Sequence, residues 1–204
     1  MRLIIIGPPG SGKGTVAEKL ERKFHLAHIS PGELLREEVQ QGTRLGQEIR
    51  KYINKGSLVP DQFVVEMVKL ELGQKKNFIL DGFPRTMAQA RAIQHINVDT
   101  VIYLTLTLSK VVERLSGRRV CRAGHHNYHL KYLPPKKKGI CDVDATPLVQ
   151  RNDDTPSAVK ERFRIYNDET RPVIQYYTQK KILITIDAAL APEKVYSLVK
   201  KALK

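Results

Sequence analysis

The sequence predicts an α/β fold of the P-loop nucleoside-triphosphate class: a five-stranded parallel sheet with helices on both faces, plus two inserted lobes. Three observations carry this. Short apolar runs at 2 to 6, 77 to 80, 100 to 106 and 182 to 186 alternate with helical patterns, as in parallel strands buried on both sides. The first run feeds Gly7-Pro8-Pro9-Gly10-Ser11-Gly12-Lys13-Gly14-Thr15, a glycine-rich loop with a lysine placed where a strand passes into a helix. The chain has 204 residues, 41% of them hydrophobic, enough for one sizeable core with insertions.

Glycines at 7, 10, 12 and 14 let successive N–H groups curl around one anion. Lys13 adds a point charge, and the following helix, Lys13 to Phe24 with Val16, Ala17 and Leu20 inward, contributes its dipole. Gly14 separates Lys13 from Thr15, a variant of the usual pattern in which Ser or Thr follows the lysine. A short fifth strand fits Ala27-His28-Ile29. From Ser30 to Leu72 the pattern is helical, with Leu34, Leu35 and Val39, then Leu45, Ile49 and Ile53, then Phe63, Val64, Met67 and Leu70. Breaks at Gly42 and at Gly56 to Pro60 divide it into three helices. One crossover needs only one helix, so 31–60 reads as an inserted lobe. From Arg119 to Asp154 helical periodicity stops, and Gly124, Pro134-Pro135, Gly139 and Pro147 punctuate a small β-like insertion. Thr155-Pro156 then restarts the chain as N-cap and first residue of a long helix with Val159, Phe163 and Tyr166 on one face. The core is thus 1–30, 61–118 and 155–204. Ligands of such sheets bind at the carboxyl ends of the strands, where Gly7, Ser30 and Asp81 fall.

Composition narrows the partners. Lys plus Arg number 35 against 21 Asp plus Glu, a net charge of +14 that favours anionic ligands. Lys136-Lys137-Lys138 and the tail Lys200, Lys201 and Lys204 lack an aromatic platform, so they read as solvated faces and no nucleic acid is expected. No apolar run approaches the roughly 18 residues of a membrane span, and Met1-Arg2 opens into a strand with no signal-peptide apolar region. A cytoplasmic monomer without membrane contact is expected. Two cysteines argue against a disulfide framework.

In Asn77-Phe78-Ile79-Leu80-Asp81-Gly82-Phe83-Pro84-Arg85 a buried strand delivers a carboxylate, a glycine turn and an arginine to the edge that carries the glycine loop. Taken with Gly7 to Thr15, His28-Ile29-Ser30-Pro31-Gly32-Glu33-Leu34-Leu35-Arg36, Gln89 and Gly117-Arg118-Arg119, this resembles the nucleoside-monophosphate kinases and, within them, the adenylate kinase family. The resemblance covers nearly the whole chain. It implies reversible transfer of the γ-phosphoryl group of MgATP to AMP, giving two ADP, with 31–60 as the acceptor-binding lobe and 119–154 as a lid. It implies that Gly10, Ser11, Gly12, Lys13, Gly14 and Thr15 hold the donor phosphates, flanked by Arg114, Arg118 and the lid pair Tyr128-His129. Ser30, Pro31, Leu58, Val59, Gly82 and Gln89 would border the acceptor, and Arg36 and Arg85 grip its phosphate. Arg151 and Arg162 would also contact the acceptor and swing over the transferring group, making them catalytic with Lys13, Arg85 and Arg118, while Asp81 orients waters of a bound Mg²⁺. Arg122, Arg164 and Arg171 match no motif position and read as surface charges.

The chemistry asks for such a set. An acceptor phosphate is already anionic, so no general base is needed, and the task is to hold two repelling polyanions in line. Guanidinium forks match phosphate oxygens and neutralise spreading charge. Two rivals remain: a UMP/CMP kinase of the same family, and a nucleotide-regulated nucleic-acid-binding protein suggested by the charge. Pro31 stands where the family commonly carries Thr, which removes a hydroxyl near the base. Gln89, able to pair with a donor and an acceptor on adenine, and the long lid argue for AMP, since pyrimidine-specific relatives share Asn at this place and a short lid.

Cys121, Cys141 and Asp144 resemble the C-x2-C-x16-C-x2-(C or D) zinc lid of many bacterial members, with Gly124 in place of the second cysteine. An imidazole from His125 or His126 would complete a tetrahedron on a small lobe that needs a staple, with zinc ahead of iron or cobalt. A metal-free lid with packing cysteines is the alternative.

Overall fold

The computed structural model describes residues 1–121 and 126–203. β1 (Arg2–Ile6) passes through the glycine loop into α1 (Lys13–Phe24), followed by β2 (Ala27–Ile29). Helices α2 (Pro31–Gln41), α3 (Arg44–Lys55) and α4 (Asp61–Leu72) come next, α2 and α3 each ending on a glycine in the left-handed region. The chain returns to the sheet as β3 (Phe78–Asp81), α5 (Met87–Ala92), β4 (Thr100–Thr105) and α6 (Leu108–Gly117). β5 (Arg118–Cys121), β6 (Asn127–His129) and β7 (Leu148–Val149) form the lid sheet. α7 (Pro156–Ile165) starts where Thr155 accepts the Ala158 N–H. α8 (Arg171–Gln179), β8 (Leu183–Asp187) and α9 (Pro192–Ala202) close the chain.

The expected single long helix after Thr155 is two helices joined by a π-helical turn over Tyr166–Thr170. Pro172, in the first turn of α8, has no N–H to return to the carbonyl four residues back, and a widened turn absorbs that break. The turn buries Tyr166, whose hydroxyl pairs with that of Tyr103 at 2.8 Å, and Thr170, which donates to the Arg85 carbonyl at 3.0 Å.

The five parallel strands lie in the order β2-β3-β1-β4-β8, so the strand that feeds the glycine loop is central. Period-two alternation stitches it to both layers. Leu3 and Ile5 pack with Ile79 and Ile102 against Val16, Ala17 and Leu20 of α1 and Val195 and Val199 of α9. Ile4 and Ile6 pack with Phe78 and Leu80 against Leu35, Ile49, Val68 and Val173 on the opposite face. Each such fully buried side chain stabilises the fold by about 1.5–3 kcal/mol relative to exposure. The lid is a separate antiparallel sheet, β6-β5-β7, whose buried cluster is Cys121, Tyr128 and Cys141 with Leu148 packed against it. A third cluster, Val111, Leu115 and Val159, joins α6 to α7 beneath it.

Candidate active site

β1 gives way to the loop at Gly7, whose φ of +155° and whose position, with an added Cβ only 2.4 Å from the Leu104 carbonyl oxygen, both exclude a side chain. The chain can therefore turn tightly over the edge of the sheet. α1 then starts on Gly12 in the left-handed region with no side chain capping its first N–H groups, which leaves them for an anion. Lys13 arches over the loop, its Nζ donating to the carbonyls of Gly7 and Pro8, both at 2.9 Å, and to Ser11 Oγ at 3.4 Å. Burial pushes this ammonium down to about 7; Asp81 opposes the shift, while Arg85, Arg162 and Arg118 add to it.

Two cavities meet at this loop. One is lined by Pro31, Leu58, Val59, Gly82 and Gln89, the other by residues 12–15 with Gly10, Arg114, Arg118, His129 and Arg151. Lys13, Arg36, Arg85 and Arg162 line both and form their common wall. Of the residues expected at the acceptor, Ser30 and Arg151 line the second cavity, over the glycine loop, and not the one at Gln89. Arg85 opens onto the cleft but is crowded by protein behind, and this burial, with Arg162 and Arg36, lowers its guanidinium to about 10. Burial likewise lowers Arg36, Arg151 and Arg162, with Arg118 adding to each.

Two carboxylates missing from the sequence-based site hold Arg118 and Arg162 in place. Asp154 takes Arg118 Nε at 2.8 Å and Nη2 at 2.5 Å, a bidentate pair, and Arg162 Nη1 at 3.2 Å. Asp153 takes Arg162 Nη1 at 2.8 Å, and the positive field of Arg162, Arg118 and Arg151 lowers its pKa against the effect of burial. Their signal was two adjacent acids just ahead of the Thr155-Pro156 helix start in a strongly basic chain. In the cavity over the glycine loop Arg114 is fixed by the carbonyls of Ala188 at 2.6 Å and Leu190 at 3.3 Å, and its guanidinium lies 5.7 Å from the ring centre of Tyr132. Tyr132, also missed, bonds Glu113 across the lid boundary and packs its ring 4.5 Å from that of His129. His129 accepts the Lys131 and Tyr132 N–H groups on Nδ1. Its ring occupies the space where a Cβ on Gly117 would fall, 2.6 Å from Cε1, which explains that glycine.

Comparison with known proteins agrees with this architecture. The family model described as adenylate kinase matches residues 5–182. The chain belongs to the adenylate kinase family. Curated relatives named adenylate kinase include one from Caldicellulosiruptor saccharolyticus, 45% identical over all of this chain and 98% of its own length. Another, from Archaeoglobus fulgidus, is 43% identical over all of this chain and 98% of its own, and one from Methanocella arvoryzae is 42% identical over all of this chain and 99% of its own. The enzyme is a nucleoside-monophosphate kinase.

Elsewhere in the kinase, the lid gathers Cys121, His126, Cys141 and Asp144, each offering one ligand atom, all within 4.8 Å of one another. Cys141 Sγ lies 3.4 Å from His126 Nδ1, which is 3.5 Å from Asp144 Oδ2. Cys121 Sγ lies 2.8 Å from that oxygen and 2.9 Å from Thr146 Oγ1. His125 lies outside the described residues. Tyr128 sits between lid and donor cavity, but its hydroxyl accepts the Asp142 N–H at 2.7 Å and meets Cys141 Sγ at 3.5 Å, so it is committed to the lid core. Asp81 stands at the end of β3, with His28 Nε2 3.4 Å from its Oδ2, an electrostatic contact too poorly aligned for a hydrogen bond. Burial disfavours the His28 cation, but Asp81, Glu33 and Glu21 outweigh it and raise its pKa. No described helix is long and apolar enough to cross a membrane. Arg164 and Arg171 are exposed, as expected, and Arg164 pairs with Glu161 and Asp168.

Proposed function

We propose that the cavity at Gln89, Leu58 and Val59 takes AMP, that the cavity over the glycine loop takes MgATP, and that phosphoryl transfer occurs across their common wall. Phosphoryl transfer between ATP and AMP is the reaction of this family, and the wall of Lys13, Arg36, Arg85 and Arg162 is the observation that carries the assignment. Four cations at the contact of two nucleotide-sized cavities repel one another when crowded out of water, which is why burial and mutual charge lower Lys13 and Arg85. Phosphate oxygens relieve that repulsion, most of all when charge spreads over the transferring group.

Each residue then has a task. The N–H groups of Gly10, Ser11, Gly12, Gly14 and Thr15 cradle the donor phosphates, and Arg114 with His129 borders the donor nucleoside. Arg36 and Arg85 grip the acceptor phosphate, and Arg118 and Arg162, steered by Asp153 and Asp154, neutralise the moving charge together with Arg151, which donates to Asn127 Oδ1 at 3.3 Å. No side chain has to remove a proton, because the attacking oxygen is already anionic. Asp81, a hard oxygen donor beside Gly14, suits the water shell of Mg²⁺, which offsets phosphate charge when it arrives with ATP. The lobe 31–60 and lid 119–154 close on the core 1–30, 61–118 and 155–204 to exclude water.

The lid chemistry fits zinc, with His126 as the fourth ligand. Bonds of about 2.0–2.3 Å around a tetrahedral zinc give ligand–ligand edges of about 3.3–3.8 Å, and the His126 edges of 3.4 and 3.5 Å fall in that range. The shorter Cys121–Asp144 edge must open to match. Both nucleotide cavities are lined by one chain, which supports a monomer acting on ATP, AMP and ADP, and freely diffusing nucleotide substrates suit a cytoplasmic enzyme. A coupled assay with AMP, CMP and UMP tests the acceptor: AMP is expected to dominate. Arg36→Ala or Arg85→Ala should raise the KM for AMP far more than that for ATP. Equal effects would mean that the two cavities are assigned the wrong way round.

A further inference from the structure

Gln89 is buried and its amide is already engaged at both ends. Its Oε1 accepts the backbone N–H of Arg85 at 2.7 Å, and its Nε2 donates to Asp61 Oδ1 at 2.7 Å. An N–H can only donate and an ionised carboxylate can only accept, so these two partners agree on one orientation of the amide. Reversing it would set N–H against N–H and oxygen against carboxylate, a double penalty for groups out of water. Asp61 is itself held, because its Oδ2 accepts from Thr86 Oγ1 at 2.8 Å, and Thr86 Oγ1 in turn accepts the Gln89 N–H at 3.2 Å as the N-cap of α5.

What remains on the amide is one lone pair and one N–H in a fixed order. These are what a base entering the cavity meets, since Gln89 lines it. Adenine and cytosine carry an amino group beside an unprotonated ring nitrogen; hypoxanthine, guanine and uracil carry a carbonyl beside a ring N–H. The same amide edge serves the first class and opposes the second. A nucleotide anchored through its phosphate cannot turn its base over to compensate.

We infer that Asp61 is a specificity-determining positioning residue: by locking the Gln89 amide it selects acceptors with an amino-type base and rejects those with an oxo-type base. This rests on the placement of AMP at Gln89 proposed above. Asp61 opens α4, separated only by Pro60 from the Leu58-Val59 pair that lines the same cavity, so lobe and base reader are tied at one residue. The shape of the cavity, not Asp61, then separates adenine from cytosine.

The test is acceptor discrimination, read as the ratio of kcat/KM for AMP to that for IMP at saturating ATP, with thermal midpoints measured alongside. Asp61→Asn is nearly isosteric but can present either a donor or an acceptor to Gln89, and Asp61→Ala removes the carboxylate half of the lock and leaves the Arg85 N–H half. Each is expected to reduce the AMP:IMP ratio by about tenfold or more, through the acceptor KM and with the ATP KM unmoved. Adding Gln89→Ala to either should change the ratio no further, as expected of residues that act as one unit. If Gln89→Ala alone flattens the ratio while both Asp61 variants lower AMP and IMP turnover equally, Asp61 is only structural and the inference is overturned with the AMP placement intact. If Gln89→Ala leaves the ratio unchanged, the AMP placement itself fails and the inference falls with it.

Discussion

The central sheet and the lid sheet meet the same need, an ordered backbone at the rim of a nucleotide cavity, with different resources. In the central sheet Leu3, Ile4, Ile5 and Ile6 are all buried, and two separate apolar clusters cover its faces. In the lid the buried cluster is Cys121, Tyr128 and Cys141, with polar groups, Asp144 and Thr146, hydrogen-bonded at its edge. A region that stays ordered through burial can hold the phosphate loop rigid. A region with so little apolar surface to bury keeps its order through specific bonds, and it can be lifted from the core at small cost. The glycine loop belongs to the first and the ligand group to the second, so chemistry and staple should be separable by mutation.

The largest expected effect strikes the core. Leu3→Ala should cost about 2–5 kcal/mol of global stability, measured by denaturant unfolding, and the loss should be the same with or without chelator. Lys13→Met should leave the fold intact and lower kcat about 100-fold to 1000-fold, the usual worth of one charge-stabilising donor. Near-normal turnover by that folded variant would falsify a catalytic role for the loop. Smaller, and confined to the lid, is the effect of metal removal. Chelation or Cys141→Ser should abolish stoichiometric zinc by direct metal analysis and lower the thermal midpoint by about 2–4 °C for each kcal/mol that the metal contributed. His126→Ala should do the same, and AMP binding should survive better than stability. Retention of zinc without His126 would move the fourth ligand elsewhere.

The smallest signal is a proton. With its pKa lowered to about 7 by burial, Lys13 loses part of its charge in the ligand-free protein near neutral pH, and bound phosphates favour its charged form. ATP binding should therefore be coupled to proton uptake that grows as pH rises above about 7, and affinity should fall over the same range. Calorimetry in two buffers of different ionisation enthalpy reads this directly, with Lys13→Met as the control that lacks it. The same depression means that ligand-free stability gains from Lys13 as pH rises from about 7 towards the ordinary lysine value, since the unfolded chain holds the proton that the folded one has lost.

Much of this was written along the chain. Strand alternation, the glycine loop, the three helices between Ser30 and Leu72, and the Thr155-Pro156 restart are local patterns, and the structure has them where the sequence puts them. Local pattern also supplied the cations, because a loop after a strand, or an arginine after a glycine turn, reveals itself through its neighbours. The π-helical turn was hidden because Pro172 is also an ordinary first-turn residue of α8. What the tertiary structure alone decided are the pairings across the fold: Asp154 with Arg118 and Arg162, Asp81 with His28, Asp61 with Gln89, and His126 with Cys141 and Asp144. A carboxylate or an imidazole has no periodicity that names its partner. Its role depends on which distant charge or donor the sheet order brings within reach of a hydrogen bond or ion pair, a contact that only the folded chain creates.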